Sequence, residues 1–323
     1  MFTKNALVAA AALVVSVAAQ AQNVNIYGNL DVSVGSFEND LTNRITEVRS
    51  SQLTGSFIGF KGQEDLGGGL KAFFKLESDV AVDTGEAVGT RAPSTSFWNR
   101  TSELGLTGGF GGITAGNSLS LAGRTNDAQS PFSVFGNMNG IANTLGAHGA
   151  GYGLYQTNTL TYTSPVFSGF SGAAQYSTNN ETPSSDKIYA LAGNYVAGPL
   201  SAGLTITNND ISNKTLVQIG GAYDYGSAKG FVQVGQAKLS ADDELTYFQL
   251  GGSFNVAPNC KVLVAWTHGK SDDLKTDKLA AAYDHSFTKR TGAYAGLVYE
   301  REKVTGNDSD SGLSIAAGLR HAF

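Results

Sequence analysis

The chain closes on Leu313-Ser314-Ile315-Ala316-Ala317-Gly318-Leu319-Arg320-His321-Ala322-Phe323, and the alternation of that stretch decides the fold. Leu313, Ile315, Ala317, Leu319, His321 and Phe323 fall on one face, and Ser314, Ala316, Gly318 and Arg320 on the other. Successive side chains of a strand point to opposite faces, so the segment is apolar on one side and small or polar on the other. A chain end frays unless something ties it down. A well-patterned terminal strand that ends on an aromatic is therefore expected to be paired, with its ring at an interface. Together with a secretion signal at the other end, this points to a transmembrane β-barrel. The last strand of a soluble sandwich is the alternative.

Lys4 followed by the apolar stretch from Ala6 to Ala19 and the small-x-small triplet Ala19-Gln20-Ala21 reads as a signal peptide over 1–21. The expected mature domain is 22–323, and loss of Lys4 moves the formal charge from −5 to −6. This acidic balance argues against a nucleic-acid partner. The lone Cys260 excludes an intrachain disulfide framework, and no spacing calls for a metal or another cofactor. With 41 glycines but only 6 prolines, the chain suits a sheet that is bent, tightly turned and hydrogen-bonded throughout. No apolar run after the signal is long enough for a helical span. A barrel crosses a bilayer without one, because only alternate residues meet lipid and every backbone group pairs around the closed sheet.

The pattern runs from end to end. Val24, Ile26, Leu30, Val32 and Val34 alternate with Asn25, Asn29, Asp31 and Ser33; Ala72, Phe74 and Leu76 alternate with Lys71, Lys75, Glu77 and Asp79. About sixteen strands of the length a tilted span needs can be marked: 23–34, 52–64, 70–82, 97–107, 111–118, 155–164, 169–177, 186–197, 200–209, 213–225, 228–238, 244–255, 259–269, 275–286, 291–303 and 309–323. Short connections such as 65–69, 108–111 and 197–199 alternate with longer ones at 35–51, 83–96 and 179–186. Short turns on one rim and long loops on the other are the habit of outer-membrane barrels. The stretch 118–153 carries little strand pattern but holds Phe132, Phe135, Met138, Ile141 and Leu145 as apolar anchors. It reads as a loop folded into the barrel, with disorder as the other reading.

Gly59-Phe60-Lys61-Gly62-Gln63-Glu64-Asp65-Leu66-Gly67-Gly68-Gly69-Leu70-Lys71-Ala72 resembles the second-hairpin signature of the trimeric general porins of β-proteobacterial outer membranes. Leu104-Gly105-Leu106 with Gly109-Phe110-Gly111, Thr288-Lys289-Arg290-Thr291 and the terminal Gly318–Phe323 fit the same family in order, from Val24 to the end. The resemblance implies an all-β, trimeric antiparallel barrel in the outer membrane, embedded in its lipids and passing small ions and solutes by diffusion. It implies a third long loop that folds inward to narrow the pore, and a terminal Phe323 that closes the barrel and is read by the outer-membrane assembly machinery.

In such a channel, rings of charge and pore diameter choose what passes. Carried over residue by residue, the family's wall cations fall on Lys61 and Arg100. Simple alternation places Arg100 on the face of Leu104, so a bulge or strand end must turn it inward. Phe57 and Tyr155 stand where the family has basic residues. They lower the positive potential and add stacking surface, or else sit above the constriction and matter only to packing. Lys71, Lys75, Glu77 and Asp79 share lumen parity, and Asp127 faces them from the long loop or pairs with Arg124 at its base. Tyr27, Phe254, Trp266, Tyr283 and Phe323, near strand ends, are expected in interfacial girdles.

Two other functions remain open at this point. A barrel hydrolase needs a nucleophile, a base and an orienting carboxylate in reach. Of His148, His268, His285 and His321, only the first two are candidates, and no motif surrounds them. A secreted β-rich binding protein or adhesin would need a compact apolar core in place of outward Leu, Val and Phe on every strand.

Overall fold

The computed structural model describes residues 24–39, 43–86, 96–150, 153–178, 187–210 and 213–323. The expected signal segment 1–21 and the connection 179–186 lie outside them, as does most of 83–96. The described strands are β1 Asn25–Asn39, β2 Asn43–Ser50, β3 Phe57–Gly67, β4 Leu70–Asp79, β5 Thr101–Gly108, β6 Gly111–Leu119, β7 Tyr155–Thr163, β8 Phe170–Thr178 and β9 Lys187–Ala197. They continue as β10 Leu200–Asn209, β11 Lys214–Asp224, β12 Ala228–Lys238, β13 Glu244–Ala257, β14 Cys260–Lys270, β15 Leu274–Ser286, β16 Thr291–Val304 and β17 Ser309–Ala322. Helices α1 (Leu121–Ala128) and α2 (Gly140–Ala147) lie between β6 and β7.

All pairings are antiparallel, and β17 returns to β1 in a register running from Asn29↔Ala322 to Ser36↔Ile315. At the seam, Phe323 N–H donates to the Gly28 carbonyl and Gly28 N–H to the Phe323 carbonyl, both at 3.1 Å. The Phe323 ring covers Gly28, where a Cβ would run into it. The seventeen segments make a closed barrel of sixteen positions, because β2 and β3 share one. β1 pairs with β3 from Asn25 to Asn29 and with β2 from Val32 to Asn39.

That arrangement corrects the expected loop 35–51: β1 extends to Asn39 and β2 turns back on it. The Arg44–Glu38 ion pair joins the two arms of this hairpin, the Arg49–Glu47 pair runs along β2, and the backbone ladder from Val32↔Ser50 to Asn39↔Asn43 zips them. It therefore holds together without the clear apolar alternation that marks a strand in a sequence.

The burial pattern is inverted relative to a soluble protein. Thr205, Gln218, Gln233, Gln249 and Thr267 are buried on the inner face, while Leu191 is 63% and Leu250 51% exposed on the outer one. Apolar side chains on that scale are stable only against lipid, with all backbone groups paired around the ring. Phe254, Trp266, Tyr283 and Phe323 are exposed outward. Tyr27 departs from the girdle expectation. It shares the parity of Asn25 and Asn29, and its hydroxyl donates to Glu77 Oε1 at 2.6 Å, so it faces inward.

The segment after β6 docks on the polar face of the wall. Ser120 caps α1 by accepting from Gly123 N–H, and Asn139 caps α2 by accepting from Ala142 N–H. Leu53, Phe132 and Met138 bury against Ala265, Ala280, Ala282 and Tyr294; Ile141 and Ala150 bury with Leu216, Leu245 and Tyr247. Polar bonds follow strand after strand. Thr125 and Thr205 hydroxyls lie 2.5 Å apart, and Gln218 Nε2 donates to the Ala122 carbonyl at 2.7 Å. Ser130 Oγ donates to Gln249 Oε1 at 2.9 Å, and Lys278 Nζ to the Asn137 carbonyl at 3.0 Å.

Candidate functional site

The site is built on β3, β4 and β5, whose inward positions coincide in register: Phe57↔Asp79, Lys61↔Lys75 and Lys75↔Glu103. Glu77, two residues from each of Lys75 and Asp79, is the hub. Its Oε1 takes Lys75 Nζ at 3.1 Å and the Tyr27 hydroxyl at 2.6 Å, and its Oε2 takes Arg100 Nε at 3.1 Å. Lys61 Nζ stands 4.4 Å above the Tyr27 ring. That face of the wall is crowded with charge, and most of it is already paired.

Arg100 precedes the first residue of β5, so strand alternation does not govern it. Its backbone N–H bonds to the Glu77 carbonyl at 3.2 Å, and its side chain turns to Glu77 and to Asp79 Oδ1, the latter at 3.2 Å. The guanidinium is then sandwiched. Its Cζ lies 4.4 Å from the Phe57 ring and 3.8 Å from the Phe135 ring of the docked segment. Phe135 in turn stacks on Tyr155, with centroids 6.1 Å apart and planes at 21°. The structure thus brings Phe57, Arg100, Phe135 and Tyr155 into one stack spanning β3, the lead-in to β5, the docked segment and β7. Arg100 is only 5% exposed.

Asp127 stands apart from this cluster. Its Oδ1 accepts from Ser133 Oγ at 3.3 Å and Val134 N–H at 2.9 Å, which shapes the turn after α1. The alternative pairing with Arg124 is not found. Arg124 Nε donates to the Leu119 carbonyl at 3.2 Å, and its charged neighbour is Glu103.

His148, at the far end of the segment, places Nδ1 3.0 Å from Ser271 Oγ and Nε2 3.3 Å from Thr276 Oγ1. Both ring nitrogens face hydroxyls, and among the described residues no carboxylate is hydrogen-bonded to this imidazole. His268 Nδ1 meets Asp277 at 2.9 Å on β14 and β15, beside the outward Trp266.

Sequence reasoning missed Asp31. Fully buried on β1, its carboxylate accepts from Leu53 N–H (2.9 Å), Thr54 N–H (2.6 Å) and the Tyr294 hydroxyl (2.6 Å). It fixes the break between β2 and β3, where Ser51 and Gln52 carbonyls accept from Asn137 and Met138 N–H. The signal available was an acid at a lumen position with no cation nearby in its strand.

A family model described as Gram-negative porin matches residues 6–305. Outer membrane porin protein 32 of Delftia acidovorans is 29% identical, covering 99% of this chain and 100% of the relative. Major outer membrane protein P.IB of Neisseria gonorrhoeae is 35% identical with the same coverage, 99% and 100%. Among solved structures, an anion-selective porin from Comamonas acidovorans shares the fold with a TM-score of 0.80 at 24% identity, covering 94% of this chain and 100% of that one. The trimer form of OmpT, an outer membrane protein of Vibrio cholerae, shares it at 0.69 and 16% identity, covering 94% and 100%. A closed barrel with an apolar outer face, matched along almost its whole length by outer-membrane proteins, belongs in that membrane. The chain is a member of the Gram-negative porin family.

Proposed function

We propose that this outer-membrane porin passes ions and small hydrophilic solutes by diffusion, and that its narrowest point lies between the wall of β3–β5 and the docked segment 120–150. The observation that carries this reading is the docking itself: a long connection spread over the polar inner face and held by Phe135 against Arg100. A segment in that place reduces the open section of the lumen and sets the charges a solute must pass.

The local charge is nearly balanced. Lys61, Lys75, Arg100 and Arg124 supply four cations against three carboxylates, Glu77, Asp79 and Glu103. Arg100, buried between two rings and bound to two carboxylates, contributes little field to the water beside it. Phe57 and Tyr155 act through this stack. The pore therefore prefers anions less than a strongly basic constriction would, with Lys61 and Lys75 as the cations nearest the solute and a fourth carboxylate, Asp127, on the segment side.

The mature chain starts at Gln22 after signal cleavage and assembles as a trimer, as the OmpT relative does, with the strand ending at Phe323 presented to the assembly machinery. Purified protein added to a planar bilayer in potassium chloride should give stepwise, ohmic conductance increments. A bilayer that stays silent at protein concentrations where relatives insert contradicts the channel reading.

A further inference from the structure

We propose that glycines on the wall of β11–β16 set the width of the pore, by making room for the docked segment on the side away from the charged cluster. This rests on the reading above that the segment forms the constriction.

The contacts recur from strand to strand. Gly220 on β11 lies under Gln129, Gly251 on β13 under Pro131, Gly269 on β14 under Thr144, and Gly296 on β16 under Met138. Each has the inward parity of a buried residue two positions away: Gln218, Gln249, Thr267 and Tyr294. A Cβ on Gly220 would stand 2.9 Å from Gln129 Cβ, one on Gly251 2.7 Å from Pro131 Cδ, and one on Gly296 2.5 Å from Met138 Cε. On Gly269 it would run into Thr144 Cγ2. Carbon atoms rest about 3.5–4.0 Å apart, so none of these positions accepts a methyl group while the segment lies where it does.

The wall between them is small as well. Gly251 is the register partner of Ala265, Ala265 of Ala280, and Ala282 of Gly296. Phe132 and Met138 of the segment bury against these alanines. A glycine inside a strand weakens it, and its use marks a place where another part of the chain comes close. Gly112 on β6 gives the contrast: it also faces inward, and a Cβ there would meet nothing nearer than 3.7 Å.

The charges on β3–β5 decide what the constriction attracts. The depth of the recess on β11–β16 decides how far the segment stands out from the wall, and so how much open section is left. The nature of each contact ranks the glycines. Pro131 meets Gly251 with a rigid ring, so a methyl group there moves the segment by about 1 Å, the gap between 2.7 Å and an ordinary contact. Met138 meets Gly296 with the free end of a flexible chain, which swings aside.

The test reads single-channel conductance of the full mature protein in planar bilayers, and the position of the segment from crystal structures of the same variants. Gly251→Ala should shift the segment by about 1 Å toward the lumen and lower the conductance. Adding Pro131→Ala removes the Cγ and Cδ that the new methyl meets, and should restore both readouts. A defect in barrel folding would not be repaired in this way. Gly296→Ala should change both readouts less, and Gly112→Ala should change neither. An unmoved segment in Gly251→Ala, or a loss of conductance that Pro131→Ala does not restore, overturns the proposal. A segment that moves while conductance stays at the wild-type value overturns it through the constriction reading on which it rests. Failure of the porin reading shows separately, as absent conductance in wild type.

Discussion

The Arg100 guanidinium lies 3.8 Å from the centroid of the Phe135 ring, joining the barrel wall to the segment docked across its inner face. Phe57 closes the other side at 4.4 Å, and Glu77 and Asp79 hold the edges. An arginine so enclosed fastens two parts of the molecule together, and its charge is spent on its neighbours.

Replacing Phe135 by Ala should loosen this contact. A desolvated cation–π contact is worth about 2 kcal/mol, so the ratio of latched to free segment falls roughly thirtyfold. The expected readout is noisier and larger single-channel conductance, with the barrel's resistance to heat unchanged. A trace indistinguishable from wild type contradicts the latch.

Glu77→Gln removes the negative charge shared by Lys75, Arg100 and Tyr27 and turns one of its two acceptor oxygens into a donor. Asp79 remains to hold Arg100, so the expected loss is about 1–3 kcal/mol, less than for an abandoned buried charge. Lys75 is released toward the solute, and the reversal potential should move toward anions. A shift toward cations contradicts the assignment of Glu77 as the hub.

Asp31→Asn keeps the size of the side chain but turns one acceptor oxygen into a donor facing Leu53 N–H, Thr54 N–H or the Tyr294 hydroxyl. Leaving a buried donor unmatched costs about 1–3 kcal/mol. The temperature at which the barrel loses its compact electrophoretic mobility should fall, and amide exchange at residues 51–54 should speed up. Unchanged exchange there means that the carboxylate does not fix the strand break.

Acid should loosen the far end of the segment. Burial pushes the His148 pKa below its ordinary value; Asp243 pulls it up and His268 adds to the fall. The neutral ring is therefore favoured in the folded state. Its contribution is fully present above about pH 6.5, the unfolded value, and is lost as pH falls through the depressed folded value. Channel flicker should increase on acidification through that window, and His148→Gln should remove the dependence. Acid-induced flicker persisting in the variant points to another group.

The barrel was legible because lipid outside and water inside impose a strict two-residue period, which marks strands such as 200–209 and 228–238 to the residue. The seam between the first and last strands followed from the same logic. β2 escaped because its backbone ladder with β1 holds the hairpin while its side chains carry no apolar alternation to read. The two short helices escaped because their stability comes from caps and from burial against strands distant in sequence. Arg100 illustrates the limit most directly. Alternation extrapolated one residue beyond β5 gives the wrong face, and its partner Phe135 comes from a segment with no period to read. Phe57 and Tyr155 were visible as aromatics where the family resemblance implies cations; that both join one stack through Phe135 depends on where the segment docks.

The central claim is that Arg100 is neutralised by its enclosure, so that the pore selects only weakly by charge. The most direct test is the reversal potential of the wild-type channel across a planar bilayer under a potassium chloride gradient. The account predicts a small potential, below that of a strongly basic constriction. A potential close to that of an ideally anion-selective membrane would contradict it.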